Sequence, residues 1–475
     1  MSRRPARLAA AATALGLALV GVGPAGATSA PLHGDRGVST PREDSYYPAK
    51  GDPGVDALHY GLDLRWQPRQ RVLTGVATIA LRAARTADSL RLDLSHRLDV
   101  GRVSVDAATV SFTHEGNHLV VHAPVTAGDR HLLRVTYRGT PGTARGPASR
   151  RDLARTGMRV TRDGRLWTVQ QPYGAFTWYP VNDHPSDKAM YDVRVDVPAR
   201  WVGVSNGELT DRRTTGGRTL TAWTHRDPVA SYLMTLAVGP YRQVRQTGPR
   251  GLPISYWVPR GRPGLGAPLR RTPAALRWLE KRLGRYPFTS LGVVLTPGSS
   301  AMETQTMVTL GLGNYSLGRF HVRTVMVHEL AHHWYGNSVT PADWRDVWMN
   351  EGMATYLHAR WVDAHSDRPG TSWRWTVRDW TRADPWLREV YGPPGAYERA
   401  HFAADNVYTS TALMWEHLRR RLGDDTFDRL VRTWPRSHAH TSTGRAALVT
   451  WWGNRSGQDL EPFFELWLDS ADSPA

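Results

Sequence analysis

The sequence lacks cysteine altogether and has only three lysines among its 60 basic residues. Without cysteine there can be neither a disulfide nor a lipoprotein anchor, so the stability of the fold must come from core burial. Arginine therefore provides nearly all of the formal net charge of +17, and it is spread along the chain instead of being gathered in runs. No nucleic-acid-binding motif accompanies this charge, which argues against a nucleic-acid partner.

Residues 1–27 are predicted to be a bacterial export signal. Three arginines precede the apolar run LAAAATALGLALVGVG, and an A-x-A cleavage site ends at Ala27, with Ala30 as an alternative cleavage point. The run is short and rich in small residues, so an uncleaved membrane anchor is the less favoured alternative. We expect a secreted protein with no stable membrane insertion after cleavage.

The rest of the chain predicts a flexible leader followed by two domains. Residues 28–55 are rich in proline, glycine and serine. Residues 56–243 alternate apolar and polar side chains with period two, which predicts an all-β, sandwich-like domain. Residues 244–475 combine a buried strand pattern with helical periodicity, as in RRTPAALRWLEKRLGRYPF, and predict a second, mixed domain. The arginines of the excursion over 140–165 are expected to be solvated.

Residues 320–356 have the spacing of a catalytic zinc site. His328 and His332 stand four residues apart, which places both imidazoles on one face of a helix. Glu329 lies beside them in the general-base position of an H-E-x-x-H pattern. Glu351, separated from His332 by eighteen residues, is the predicted third ligand. Two histidines and one glutamate leave a fourth position open, which is typical of catalytic zinc, and we predict one Zn²⁺ per chain.

The two helices that carry these ligands have recognisable end signals. Gly336 follows the first helix where a terminating glycine is expected. Asn350 is predicted to cap a second helix that begins at Glu351. Two antiparallel helices would then share one ion.

The runs HELAHHWYGN and VTPADWRDVWMNEGMATY together resemble the aminopeptidase N family of gluzincin zinc metallopeptidases. The resemblance covers about 165–245 and 285–470. It implies a multidomain α+β fold: an N-terminal all-β saddle domain, followed by a thermolysin-like, largely helical mixed α/β domain. It also implies a short secreted form without the C-terminal helical domain of larger relatives.

The same resemblance assigns residues that would bind a peptide with a free N-terminus. The segment SAMET resembles the family's Gly-Ala-Met-Glu-Asn loop, so Ala301, Met302 and Glu303 are expected to contact the substrate, and Glu303 to pair with its α-amine. Gln171 falls where the family has a Glu or Gln that touches the amino end. Tyr408 matches the tyrosine of the Val-Tyr-x-Lys-Gly segment, which donates to the oxyanion, although Ser410 and Thr411 replace the Lys-Gly.

The function predicted from these residues is a secreted zinc aminopeptidase. Two alternatives stay open: a zinc endopeptidase on the same scaffold, and a non-catalytic surface binding module with a vestigial site. The Trp-rich segment 365–404 is expected to form helices and loops around the cleft, without an assigned role. The preferred N-terminal residue, the physiological substrate and the oligomeric state are not determined by the sequence.

Overall fold

The computed structural model describes residues 37–366 and 368–475. The predicted export signal lies outside these residues. Across the described ranges, none of the helices combines the length and the apolar character that crossing a membrane requires.

The first half of the described chain consists of strands. Their alternating pattern has the physical basis expected from the sequence, since Tyr60, Leu62 and Leu64 of the first strand are buried while Asp63 and Arg65 are exposed. The strands are β1 (Val55–Gln67), β2 (Val72–Ala83), β3 (Leu90–Asp93), β4 (Leu98–Val105), β5 (Ala108–Thr109), β6 (Phe112–Glu115), β7 (His118–Val121), β8 (Arg130–Gly139), β9 (Thr143–Arg145), β10 (Arg155–Val160), β11 (Leu166–Val169), β12 (Lys188–Pro198), β13 (Val202–Ser205), β14 (Glu208–Thr215), β15 (Arg218–Ala230) and β16 (Leu236–Gly239).

These strands form an eight-stranded sheet in the order β14-β15-β12-β1-β2-β8-β4-β5. A five-stranded sheet, β13-β16-β11-β10-β9, and a three-stranded sheet, β3-β7-β6, complete the β-rich region. Only the β1–β12 pair of the large sheet is parallel, with Leu62 opposite Val193. The predicted all-β N-terminal domain is confirmed.

The second half is largely helical around a smaller sheet. Its strands are β17 (Tyr241–Thr247), β18 (Pro253–Pro259), β19 (Leu291–Thr296), β20 (Ala301–Met302), β21 (Met307–Gly311), β22 (Val339–Pro341) and β23 (Thr441–Thr443). Its helices are α1 (Thr272–Leu283), α2 (Gly318–Ala331), α3 (Trp348–His365), α4 (Trp373–Tyr391), α5 (Asp405–Leu422), α6 (Asp424–Ser437), α7 (Arg445–Ser456) and α8 (Glu461–Asp469). The five-stranded sheet runs β17-β18-β19-β21-β20, so β20 lies at its edge. The predicted fold class is confirmed, whereas the domain limits at 55 and 243 remain predictions.

Residues 37–55, the described part of the predicted flexible leader, pack against both halves of the chain. Asp44 is 1% exposed, and its carboxylate accepts hydrogen bonds from the backbone N–H groups of Tyr46, Tyr47 and Trp344 at 2.8–2.9 Å. The same carboxylate lies 3.1 Å from His184 Nε2 in the β-rich half. The Pro/Gly/Ser composition predicted a flexible leader over 28–55, but within 37–55 a few anchoring side chains hold the chain against both halves.

Lys188 makes a second connection between the halves. It lies on β12, is 1% exposed, and its ammonium donates to the carbonyl oxygens of Asn337, Ser338 and Thr441 at 2.8–3.2 Å. Three carbonyls match the three donors of an ammonium group. Because Asn337 and Ser338 closely follow His332, this contact ties the large sheet to the turn behind the predicted metal ligands.

Candidate metal centre and substrate cleft

Every residue predicted for the site lines one cleft of about 260 Å³. The cleft lies where β20, α2, α3 and α5 meet residues of the β-rich half. Its lining comprises Arg150, Asp152, Leu153, Gln171, Ser299, Ala301, Met302, Glu303, Asn314, His321, Val325, His328, Glu329, His332, Glu351, His358 and Tyr408.

The end of α2 brings His328, Glu329 and His332 into the cleft. His332 is the residue after the last helical position, but it keeps helical dihedral angles (φ −57°, ψ −27°), so the four-residue spacing still places it one turn from His328. Their rings lie 4.7 Å apart. The predicted helix and its ligand-bearing face are therefore present, but the helix ends at Ala331, so the prediction that Gly336 terminates it is wrong.

Glu351 enters the cleft from the first turn of α3. The predicted helix start is wrong, since α3 begins at Trp348 and Val347 occupies the capping position. Asn350 lies inside the first turn, with its amide 3.5 Å from the Tyr232 hydroxyl. Its propensity for a cap was outweighed by the buried Trp348, which extends the helix by a turn.

The three predicted ligands have the geometry of a tetrahedral metal site. Glu351 Oε2 lies 3.3 Å from both His328 Nε2 and His332 Nε2, and the two Nε2 atoms are 3.1 Å apart. Ligands at about 2.0–2.2 Å from a tetrahedral zinc are separated by roughly 3.3 Å. His332 Nδ1 lies 3.2 Å from the Tyr335 carbonyl, which can only accept, so a neutral His332 presents the lone pair of Nε2 to the cleft. The residues therefore fit Zn²⁺.

The electrostatics of the cluster also favour a cation. Burial lowers the pKa of His332, but the carboxylates of Glu351 and Glu303 outweigh it and raise that pKa to about 10. Burial alone would raise the pKa of Glu351, yet His332 and His328 hold it far below its usual range. Three buried carboxylates, including Glu329, thus surround one imidazole, and a divalent ion would compensate their charge.

Glu303, Glu329 and His332 form a second group whose ligand atoms lie within 4.8 Å of one another. This group and the first one both need His332 Nε2, because Nδ1 faces the Tyr335 carbonyl. They therefore cannot hold two separate ions through His332. The tighter group, with Glu351, leaves Glu303 and Glu329 as uncoordinated carboxylates directly beside the metal position.

Glu303 follows the edge strand β20 and is 3% exposed. Its carboxylate accepts a hydrogen bond from Gln171 Nε2 at 3.2 Å, and the same amide lies 3.5 Å from Glu351 Oε1. Burial and the neighbouring Glu351 raise the pKa of Glu303 to about 7, although His332 opposes this. By contrast, Gln170 points away and saturates backbone carbonyls at Ser231 and Met234. Gln171 is thus the glutamine that reaches the cleft.

Tyr408 lies in the first turn of α5, with its ring stacked 6.0 Å from that of His328. Burial raises the pKa of Tyr408 well above its usual value, so its hydroxyl stays protonated. Helix α5 continues through Ser410 and Thr411 without interruption. Gly352 permits the close approach of α3, because a Cβ there would lie 2.7 Å from Thr411 Cβ.

Sequence reasoning missed Arg150, and its interpretation of residues 140–165 was wrong at this position. The excursion contains β9 and β10, and the loop between them extends Arg150 into the cleft, where Nη1 donates to Tyr408 Oη at 2.8 Å. Nothing in this Arg/Gly-rich segment distinguished Arg150 from its neighbour Arg151, which is exposed. His321 and His358 also line the cleft and were not predicted.

A β-rich domain, a helical domain and a His/His/Glu ligand set with an adjacent glutamate are the arrangement expected of a two-domain metallopeptidase. The family models agree: residues 56–233 match the Peptidase M1 N-terminal domain, and residues 268–467 match the Peptidase family M1 domain. The chain belongs to peptidase family M1. The predicted family is confirmed. Zn²⁺, the predicted metal of the site, is confirmed as well.

Solved structures of this family share the two-domain fold. The M1 zinc metallopeptidase from Deinococcus radiodurans superposes with a TM-score of 0.78 at 27% identity, covering 91% of this chain and 98% of that one. A mutant of a Deinococcus radiodurans M1 zinc metallopeptidase bound to a Tyr-Ser-Ala substrate superposes with a TM-score of 0.77 at 26% identity, with the same coverage of both chains. Aminopeptidase B of Mus musculus is 28% identical over 368 residues, or 70% of this chain. The chain spans about half the length of that relative, 53%.

Proposed function

We propose that this protein is an exported zinc aminopeptidase that removes N-terminal residues from peptides. The observation that carries the proposal is Glu303, a buried carboxylate beside the metal ligands whose hydrogen-bond donor within the described chain is the neutral amide of Gln171. A buried carboxylate without a cation is costly, and a protonated α-amine would supply one. A peptide fixed there by its amino end would present its first peptide bond to the metal position.

His328, His332 and Glu351 would hold the ion. When bound, zinc supplies Lewis acidity, which polarises a carbonyl and lowers the pKa of water at the site. The cleft is small, and His332 and Glu351 are buried in it, which strengthens each electrostatic interaction within it.

Glu329 serves as the proton carrier. Burial raises the pKa of its carboxyl well above the usual value, with Glu303 and Glu351 adding to the effect against His332. A carboxylate with a raised pKa accepts a proton from the attacking water more readily and can then donate it to the leaving amine. Tyr408, protonated and facing the cleft, donates a hydrogen bond to the developing oxyanion.

Ala301 and Met302 complete the substrate contacts. They form β20, which pairs with β21 on one side and with no other strand of the described residues, so its other edge offers backbone groups to an extended peptide. The Tyr-Ser-Ala ligand of the Deinococcus radiodurans relative and the name of the mouse relative both support a peptide substrate with a free amino end.

Paired free and N-acetylated peptides test the proposal. The wild-type protein should release the first residue of a free peptide, lose this activity in a chelator and regain it with Zn²⁺. Acetylation should lower kcat/KM by several orders of magnitude, because Glu303 is then left unpaired. Glu303→Gln should lower kcat/KM for the free peptide while reducing the discrimination against acetylation. Equal rates on both peptides would favour the endopeptidase alternative, and zinc binding without turnover would favour the binding module.

Export is the second half of the proposal, supported by the basic, apolar and A-x-A segments of residues 1–27. The protein expressed with its own N-terminus in a bacterial host should accumulate outside the cytosol with residue 28 or residue 31 as its first residue. A fully cytosolic, unprocessed product would contradict it.

A further inference from the structure

Arg150 is one of the residues of the β-rich half that line the cleft. It lies in the loop between β9 and β10, 258 residues before Tyr408 in the chain. Its guanidinium donates from Nη1 to the Tyr408 hydroxyl at 2.8 Å and lies 5.3 Å from the centre of the Tyr408 ring. The contact therefore joins two domains at a side chain proposed to take part in the chemistry.

The loop that carries Arg150 is held from several sides. Pro147 O accepts a hydrogen bond from Phe402 N at 2.9 Å, and Ser149 Oγ lies 3.2 Å from His401 Nδ1. Leu153, three residues after Arg150, is 3% exposed. These contacts fix the loop on the segment that precedes α5, the helix of Tyr408.

The hydrogen bonds of Arg150 leave little capacity for a ligand. Nε and Nη2 donate to the two carboxylate oxygens of Asp152 at 3.3 and 2.9 Å, and Nη1 also donates to Ala403 O at 3.3 Å. With the bond to Tyr408, four of the five guanidinium N–H groups are used, and Asp152 balances the charge. Arg150 is thus built to hold Tyr408 and is poorly suited to bind a substrate carboxylate.

The effect on Tyr408 is directional. Within the described part of the chain, the Tyr408 hydroxyl accepts the bond from Arg150 and donates none. Since an N–H occupies one lone pair of the oxygen, the O–H proton must point elsewhere. Stacking on His328 holds the ring in place and Tyr408 lines the cleft, so the O–H is available for donation to a group bound there.

We infer that Arg150 is a positioning residue that aims the Tyr408 hydroxyl at the developing oxyanion, so that the β-rich domain contributes to the rate of the reaction. This inference rests on the proposed aminopeptidase function. Donation from a charged guanidinium also polarises the Tyr408 O–H, which makes it a stronger donor. Arg150 acts through Tyr408 and touches no reacting atom.

A double-mutant cycle with an aminoacyl fluorogenic substrate tests the inference. Arg150→Gln should lower kcat by about 10- to 100-fold, as expected for the loss of one charged hydrogen bond, with KM changed less than about twofold. Tyr408→Phe should lower kcat by roughly 10²- to 10³-fold. In the Tyr408→Phe background, Arg150→Gln should change kcat by less than about twofold, because its route of action is gone.

Three further variants separate positioning from loss of structure. Arg150→Lys keeps a cationic donor and should recover part of the lost kcat. Asp152→Asn removes the charge that holds the Arg150 guanidinium and should lower kcat less than Arg150→Gln does. This decrease should also disappear in the Tyr408→Phe background. Arg151→Gln, the exposed neighbour on the same loop, should match the wild type. Zinc content and Tm, measured for each variant, identify any that fail to fold.

Three results would overturn the inference: an unchanged kcat in Arg150→Gln, an equal fold-loss in the presence and absence of the Tyr408 hydroxyl, or an effect on KM alone. An effect on KM alone would mean that Arg150 binds substrate directly. An inactive wild-type protein with full zinc content would instead refute the proposed function, so the two failures are distinguishable.

Discussion

The contact between α3 and α5 determines how deeply Tyr408 enters the cleft, and Gly352 controls that contact. A Cβ at position 352 would lie 2.7 Å from Thr411 Cβ and closer still to the Thr411 hydroxyl. Carbon atoms in contact prefer about 3.5–4.0 Å, so Gly352→Ala requires the helices to separate by about 1 Å. Rotation of the Thr411 side chain cannot relieve the clash, because its Cβ is fixed by the backbone.

The consequence should be larger for catalysis than for stability. Overpacking costs about 1–3 kcal/mol, and replacing glycine by alanine inside a helix returns about 1 kcal/mol, so the net loss should be about 0–2 kcal/mol. Tyr408 stands one turn before Thr411 on α5, and a displacement of about 1 Å at a reacting group can lower kcat by roughly 100-fold. Glu351 adjoins Gly352, so zinc content must be measured in parallel.

A second substitution makes the reasoning refutable. Thr411→Gly removes the clashing side chain, so the double variant Gly352→Ala/Thr411→Gly should recover most of the lost kcat, even though glycine in α5 lowers the unfolding free energy. Steady-state kinetics on an aminoacyl substrate, with Tm from thermal unfolding, measures both quantities. Wild-type kcat in Gly352→Ala, or no recovery in the double variant, would show that the α3–α5 spacing does not control the site.

The metal, the domain contact and the leader each give a further prediction. Glu329→Gln should keep about one zinc per chain by elemental analysis while kcat falls by several orders of magnitude. His332→Ala should instead lose the zinc and have a lower Tm. Lys188→Met leaves three buried carbonyls without their donor and should lower the unfolding free energy by about 2–4 kcal/mol in denaturant titrations; an unchanged midpoint would contradict this. For Asp44, burial raises the pKa, but hydrogen bonds from His184 and Trp344 lower it below its ordinary 3.8. The wild type should therefore exceed Asp44→Asn in unfolding free energy by the full amount above about pH 5, and this difference should disappear as the pH falls below about 4. A difference in unfolding free energy that is constant with pH would exclude an ionised Asp44 as its source.

The sequence by itself determined those features that depend on local spacing. Strand periodicity and the four-residue interval between His328 and His332 follow from backbone geometry that repeats within a few residues. Glu351 was predicted from its place at the start of a second helix, separated from His332 by eighteen residues. The resemblance to a family added Glu303, Gln171 and Tyr408, and the structure brings all of them to one cleft. Their catalytic roles remain predictions that the experiments above address.

Only the tertiary structure decided which parts of the chain meet across long sequence distances. Composition suggested that Arg150 is solvated and that residues 28–55 are loose, but composition cannot show which single side chain finds a partner 258 or 300 residues away. The start of α3 at Trp348 has the same cause, since tertiary burial outweighed the capping preference of Asn350. The close fit of Gly352 against Thr411 was likewise decided by tertiary packing, because the contact exists only once α3 and α5 lie together.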